Sequence, residues 1–176
     1  MEEKKEQQAR RFVTAILERC QEDKGFAARL RRADNPDTEH YAYGVLAGFG
    51  IDLENDGVRR PYAVIAASLS RSKRDQDGDL GLGAALRDCV EREDQGESRL
   101  RRMLACRTTE ELCRMLRPLL TFIDARDAPL CHARLLDEML SFRFEEARRR
   151  VRLRWAQEYY GRSASDADDQ AGEGDA

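Results

Sequence analysis

Arginines carry most of the chemistry this chain can offer. Arg99, Arg101, Arg102, Arg107, Arg114 and Arg117 fall between positions 99 and 117. The planar fork of arginine suits phosphate, carboxylate and base stacking better than lysine does. Around Leu100, Met103 and Leu104 the helical period gives the leucines and methionine the buried face, so Arg99, Arg101 and Arg102 project from the rest. Arg114 and Arg117, three apart, are placed opposite the next leucine stripe, and Arg107 sits on the turn between the two helices. With Arg71, Lys73 and Arg74 on a polar loop and Arg29, Arg31 and Arg32 on a short helix, such a set could track a sugar-phosphate backbone. Each neutralised phosphate would release counterions and add affinity without sequence preference. The other reading of the same residues is a solvated or salt-bridged surface, or an adaptor face that meets acidic protein partners.

Other chemistry is weakly supported. His40 and His132 stand far apart, with no Ser, Cys or Lys placed beside either in a nucleophile motif. Cys131 and His132 are adjacent, but neighbours on a helix point about 100° apart. Asp75-Gln76-Asp77-Gly78-Asp79 lacks the glycine and glutamate spacing of a calcium loop. Gly78, Gly81 and Gly83 lack the strand and the Gly-Lys-Ser/Thr of a phosphate loop. Five cysteines, an odd number with no Cys-x-x-Cys pair, argue against a disulfide framework and a zinc ribbon. No catalytic residue, metal or cofactor is expected.

The elements that must position the arginines are helices. The 176 residues amount to one ordinary domain, with 41% hydrophobic, 7% aromatic and 37% charged residues. No apolar run approaches the length that spans a bilayer, and Met1 to Glu6 has no signal-peptide character, so a cytoplasmic protein is expected. Net charge is −3, yet Arg162 to Ala176 holds one arginine against Asp166, Asp168, Asp169, Glu173 and Asp175, a local −4. The body is therefore near +1, and of its basic residues only Lys4, Lys5, Lys24 and Lys73 are lysines.

Apolar spacing predicts an all-α, compact bundle of about seven to nine helices over 1–161, followed by a disordered acidic tail over 162–176. A first helix runs from about Glu3 to Glu22 and is broken at Gly25. Asn35-Pro36-Asp37 opens another. Ile51 to Arg60 reads as a loop turning at Asn55-Asp56-Gly57, after which Pro61 begins the most buried helix. Arg71 to Asp79 reads as exposed and mobile. A helix on Leu80, Leu82, Leu86 and Val90 closes at Asp94-Gln95-Gly96. Thr108-Thr109-Glu110-Glu111 is a capping box, and Pro118 should kink the helix it starts. Leu136, Leu140, Phe144, Ala147, Val151 and Trp155 form the core face of a last region, one helix or two, ending at Gly161.

Taken in order, several segments resemble one family, CasB, the small subunit of the type I-E CRISPR Cascade surveillance complex. They are Leu30-Arg31-Arg32-Ala33 followed by Pro36, the basic loop Arg71 to Arg74, and Leu80-Gly81-Leu82-Gly83-Ala84-Ala85-Leu86. Arg99-Leu100 to Leu104, Thr108 to Leu120 and Arg154-Trp155-Ala156 complete the series. The resemblance implies an all-helical, non-catalytic, nucleic-acid-contacting subunit present in two copies. It would lie beside guide RNA and target DNA and help hold the displaced strand. The large subunit and the repeated backbone subunit are its implied partners. Arg32, Arg99 and Arg117 match basic positions of the family, whereas Arg107 and Arg114 are assigned from helix faces. Arg71, Lys73, Arg74 and Arg102 complete the candidate nucleic-acid-binding set. Pro118 and the acidic tail depart from the family pattern.

Overall fold

The structure is a computed structural model and describes residues 2–161. These fold into nine α-helices and one 3-10 helix: α1 (Glu2–Glu22), α2 (Lys24–Arg32), the 3-10 helix (Pro36–Ala42), α3 (Tyr43–Gly48), α4 (Asp56–Leu69), α5 (Leu82–Cys89), α6 (Glu93–Ala105), α7 (Thr109–Asp124), α8 (His132–Ser141) and α9 (Glu145–Tyr160). Pairing of β type among the described residues is confined to one parallel bridge, Leu80 to Leu130. The all-α bundle is found as expected, while the tail over 162–176 lies outside the described residues. No helix among them is long and apolar enough to cross a membrane.

The core is organised around α4, where every residue from Pro61 to Ser70 is buried. Ala63, Ala66 and Ala67 present small side chains, so α7, α8, α1 and α2 all pack against it. Phe12 of α1 meets Tyr62 and Phe49 edge-on, with centroids 4.8 and 5.0 Å away. Aromatic rings favour this geometry because edge and face carry opposite partial charge. On the far side α5 packs on α9, so closely that a Cβ at Gly83 would strike the Trp155 carbonyl.

Several boundaries differ from the sequence expectation, each for a local reason. Asp23, not Gly25, divides α1 from α2, because its carboxylate accepts from Phe26 N at 2.9 Å and caps the new helix. Asn55-Asp56-Gly57 is the first turn of α4 rather than a loop. Asp56 pairs with Arg59 and Arg60 at helical spacing, and Pro61 lies inside the helix. Asp94-Gln95-Gly96 likewise belongs to the first turn of α6, where Gly96 admits the Tyr159 hydroxyl. Pro118 stays within an unbroken α7. The last region is two helices. Phe144 is extended and 53% exposed, so the run from Leu136 to Trp155 changes phase there, with Leu136, Val151 and Trp155 buried on either side.

Candidate nucleic-acid interface

Two of the arginines expected on the surface are interior. The Arg117 side chain is only 10% exposed. Its Nη2 lies 3.1 Å from Glu39 Oε2, and its Nη1 donates to the carbonyls of Ala33 and Asp34 at the end of α2. The expectation that Arg117 stands opposite the leucines is corrected. The buried face of α7 is broader than the leucine stripe and takes in Cys113 and Arg117, four apart, beside Leu116 and Leu120. Arg71 is also drawn inward, with Nη1 2.9 Å from Asp34 Oδ2 and Nε 2.9 Å from Asp124 Oδ2.

These contacts belong to a polar chain running through the bundle. Arg59 Nε lies 2.8 Å from Glu39 Oε1 at one end. Beyond Arg117, Asp34, Arg71 and Asp124, Ser68 Oγ lies 3.0 Å from both Asp124 Oδ1 and His132 Nε2, and His132 Nδ1 is 3.0 Å from Asp77 Oδ1. Burial pushes the Asp124 carboxyl up, against the pull of Arg71 and His132. Asp77 goes the other way. Burial opposes its charge, but the hydrogen bond from His132, its coulombic attraction, and the amides of Ala133 and His132 together hold the carboxyl below its ordinary value. Those amides lie 3.0 and 2.8 Å from Asp77, so it caps α8 from 55 residues away. The segment 71–79 is thereby fastened at both ends rather than loose, with Gly78 N bonded to Leu130 O at 3.1 Å.

Ser68, His132 and Asp77 stand in the order of a hydrolytic triad. Ser68 is completely buried, however, and its single proton is shared between two acceptors, so it has no face open to a substrate. Burial pushes the Cys113 thiol up to about 12, which leaves that sulfur unreactive. Among the described residues no three His, Cys, Asp or Glu side chains gather as a metal site.

Other arginines stand on α6, on α7 and on the turn between them. The capping box that starts α7 is present, since Glu111 N donates to Thr108 Oγ1 at 3.1 Å and Arg107 N donates to Glu111 Oε2 at 2.7 Å. It fixes where α7 starts. From α9, Arg148 donates to the Arg107 carbonyl at 2.9 Å, and Arg152 donates to the Cys106 carbonyl. That clamp leaves the Arg107 side chain free to face outward. A groove of about 290 Å³ between α6 and α7 is lined by Arg102, Cys106, Glu111, Arg114 and Met115. Arg114 is 64% exposed and reaches Glu110 only at 3.6 Å. Arg99 lies over the Phe122 ring at 4.2 Å, and Arg126, which sequence reasoning does not single out, lies over the same ring at 3.6 Å. The Phe122-to-Arg126 spacing of four is the available signal.

The remaining candidates lie on other elements. Arg32 is exposed on α2 over Tyr41, 5.5 Å from its centroid, and Tyr41 stacks on His40. Arg74 donates to the Asp127 carbonyl at 2.7 Å and lies 3.3 Å from its carboxylate. Lys73 is exposed and has no ion pair among the described residues. The arginines of α9 mostly bind within the fold: Arg154 joins buried Glu138 at 2.9 Å, and Glu138 also accepts from Trp155 Nε1 at 2.7 Å.

Comparison with known proteins fits this geometry. Two solved structures share the fold. The chain aligns with "CasB from Thermus thermophilus" at 25% identity and a TM-score of 0.65, and with "CasB from Thermobifida fusca" at 21% and 0.64. Each alignment covers 88% of this chain and 98% of the other. No curated protein matches. The family described as "CRISPR-associated protein Cse2" matches residues 27–160, from α2 through the last residue of α9. The chain therefore belongs to the CRISPR-associated Cse2 family and is a structural subunit of Cascade.

Proposed function

We propose that this subunit is non-catalytic and grips nucleic-acid backbone inside a type I-E Cascade, through Arg99, Arg102, Arg107 and Arg114. The observation that carries the reading is the division among its arginines. Arg71 and Arg117 are consumed by interior carboxylates, whereas Arg102 and Arg114 line one surface groove, Arg99 lies over the Phe122 ring and Arg107 is exposed on the turn between α6 and α7. Arg32, Lys73 and Arg74 are secondary contacts. Arg71 and Arg117 are positioning residues that hold α7 against α2 and α4.

The exchange of DNA pairing for guide RNA and target DNA pairing is nearly balanced in free energy, so backbone contacts blind to sequence decide whether the strands stay apart. Arginines near phosphates supply such contacts, and the guide RNA supplies all the specificity. The other Cascade subunits, including the large and repeated backbone subunits, and a second copy of this chain complete the assembly in this reading. Co-purification from the native host tests it. Short repeat-derived RNA and Cascade subunits should accompany the tagged chain. A helical protein partner with no RNA would replace the reading with that of an adaptor.

A further inference from the structure

A hollow that joins the groove of α6 and α7 starts at Glu97, which the last residue of α9 contacts. Tyr160, the last residue of α9, donates its hydroxyl to Glu97 Oε1 at 3.0 Å, and Arg101 Nη2 lies 2.7 Å from the same oxygen. Gly161 is held beside α5, its carbonyl accepting from Arg87 Nη1 at 2.9 Å. From Glu97 a hollow of about 480 Å³, lined by Asp94, Ser98, Arg101, Arg102 and Ala105, runs along α6. It shares Arg102 and Ala105 with the 290 Å³ groove that reaches Arg114. A track thus leads from the Tyr160–Glu97 contact, one residue before Gly161, along the arginine face.

Charge fits one occupant. Along this face the cations Arg99, Arg101, Arg102, Arg107, Arg114 and Arg126 meet the anions Glu97, Glu110 and Glu111. Glu97 is paired with Arg101 and Glu110 with Arg114, and Glu111 is spent on the start of α7. Asp94 pairs with Arg92 at the head of the track. Positive charge is in excess. The segment that follows Gly161 carries a sum of −4 through Asp166, Asp168, Asp169, Glu173 and Asp175 against Arg162. Its 15 residues reach up to about 50 Å when extended. The 13 residues of α6 extend only about 20 Å.

We propose that segment 162–176 is an internal ligand of the α6–α7 arginine face and stands in for the phosphates of a nucleic acid. The inference rests on the reading of that face as anion-binding. Individual surface ion pairs are weak. Tethering converts them to an intramolecular contact at an effective concentration in roughly the millimolar range, enough to occupy the face until a longer polyanion displaces the segment. Loose or short nucleic acid would then be excluded, and an extended backbone would be accepted.

Two readouts on the full chain test this separately. The first is a nitroxide joined enzymatically to the C-terminus, which should broaden the amide signals of Arg99, Arg102 and Arg114 at about 50 mM salt and release them at about 500 mM, where screening is strong. A variant with Asp166→Asn, Asp168→Asn, Asp169→Asn, Glu173→Gln and Asp175→Asn should show no broadening. Broadening that is absent, that falls elsewhere, or that survives in this variant overturns the proposal. The second readout is affinity for a short single-stranded DNA, which the neutral variant should bind about threefold or more tightly than the native chain at low salt, converging as salt rises. Equal affinity of two forms that both bind DNA also overturns it. Failure of both forms to bind DNA, with the salt-sensitive broadening intact, would support the docking and remove the nucleic-acid reading instead.

Discussion

The arginines of α7 divide between two settings three residues apart. Arg117 is withdrawn into a chain of carboxylates that runs from Arg59 to Asp77, while Arg114 stands 64% exposed beside a groove. Removing the inner residue leaves buried Glu39 with Arg59 alone and takes the donor from two backbone carbonyls, and weakening the pairing of a buried charge is costly. The outer residue has one partner at 3.6 Å and most of its side chain open to water, so its pair adds little to stability. Identical side chains therefore serve opposite purposes. Where the surroundings are dry, arginine joins helices together; where they are wet, its charge remains available to another molecule.

The largest expected effect comes from breaking the inner setting. Arg117→Ala should cost about 3–5 kcal/mol and show as a large fall in melting temperature, because Glu39 keeps only Arg59. A fall comparable to that of a surface variant would show that the chain of carboxylates does not hold the bundle. Asp77→Asn should cost about 1–2 kcal/mol near neutral pH, by weakening a cap on α8 and the interaction with His132. Its sign follows from the lowered carboxyl. The native advantage is complete above the ordinary Asp value near pH ~4 and disappears as pH falls through the lower folded value, so melts of the two proteins should converge in acid. Thr108→Ala should cost about 1 kcal/mol by removing the cap of α7, read by denaturant unfolding. Smallest is Arg102→Glu with Arg107→Glu and Arg114→Glu. Thermal unfolding of the triple variant should shift by no more than about 0.5 kcal/mol in all, since none of the three holds a buried partner.

The same contrast explains what can be read from the sequence. Thr108 and Glu111 act within one turn, and the helical stripe from Leu112 to Ile123 is local, so α7 and its start are legible. Asp77 does the same work on α8 from 55 residues away, and no local pattern announces it; the segment 71–79 accordingly reads as loose. Arg117 is misplaced because the buried face of α7 extends past the leucine stripe as far as Cys113 and Arg117. Its decisive partner, Glu39, is brought to it only by the fold. Phe144 falls on a core face only when the period is carried across the break between α8 and α9. Outward arginines such as Arg102 and Arg107 need only the local period, and these are the ones the structure leaves at the surface.

The central claim is that Arg102, Arg107 and Arg114 act on nucleic acid and leave the fold alone. Its most direct test is the salt dependence of target-DNA retention by Cascade assembled with the native chain or with all three reversed to Glu. The log–log slope should fall by about one for each phosphate no longer neutralised, with assembly and melting unchanged. An unchanged slope in an intact complex would contradict the claim and leave the groove of α6 and α7 as a solvated face.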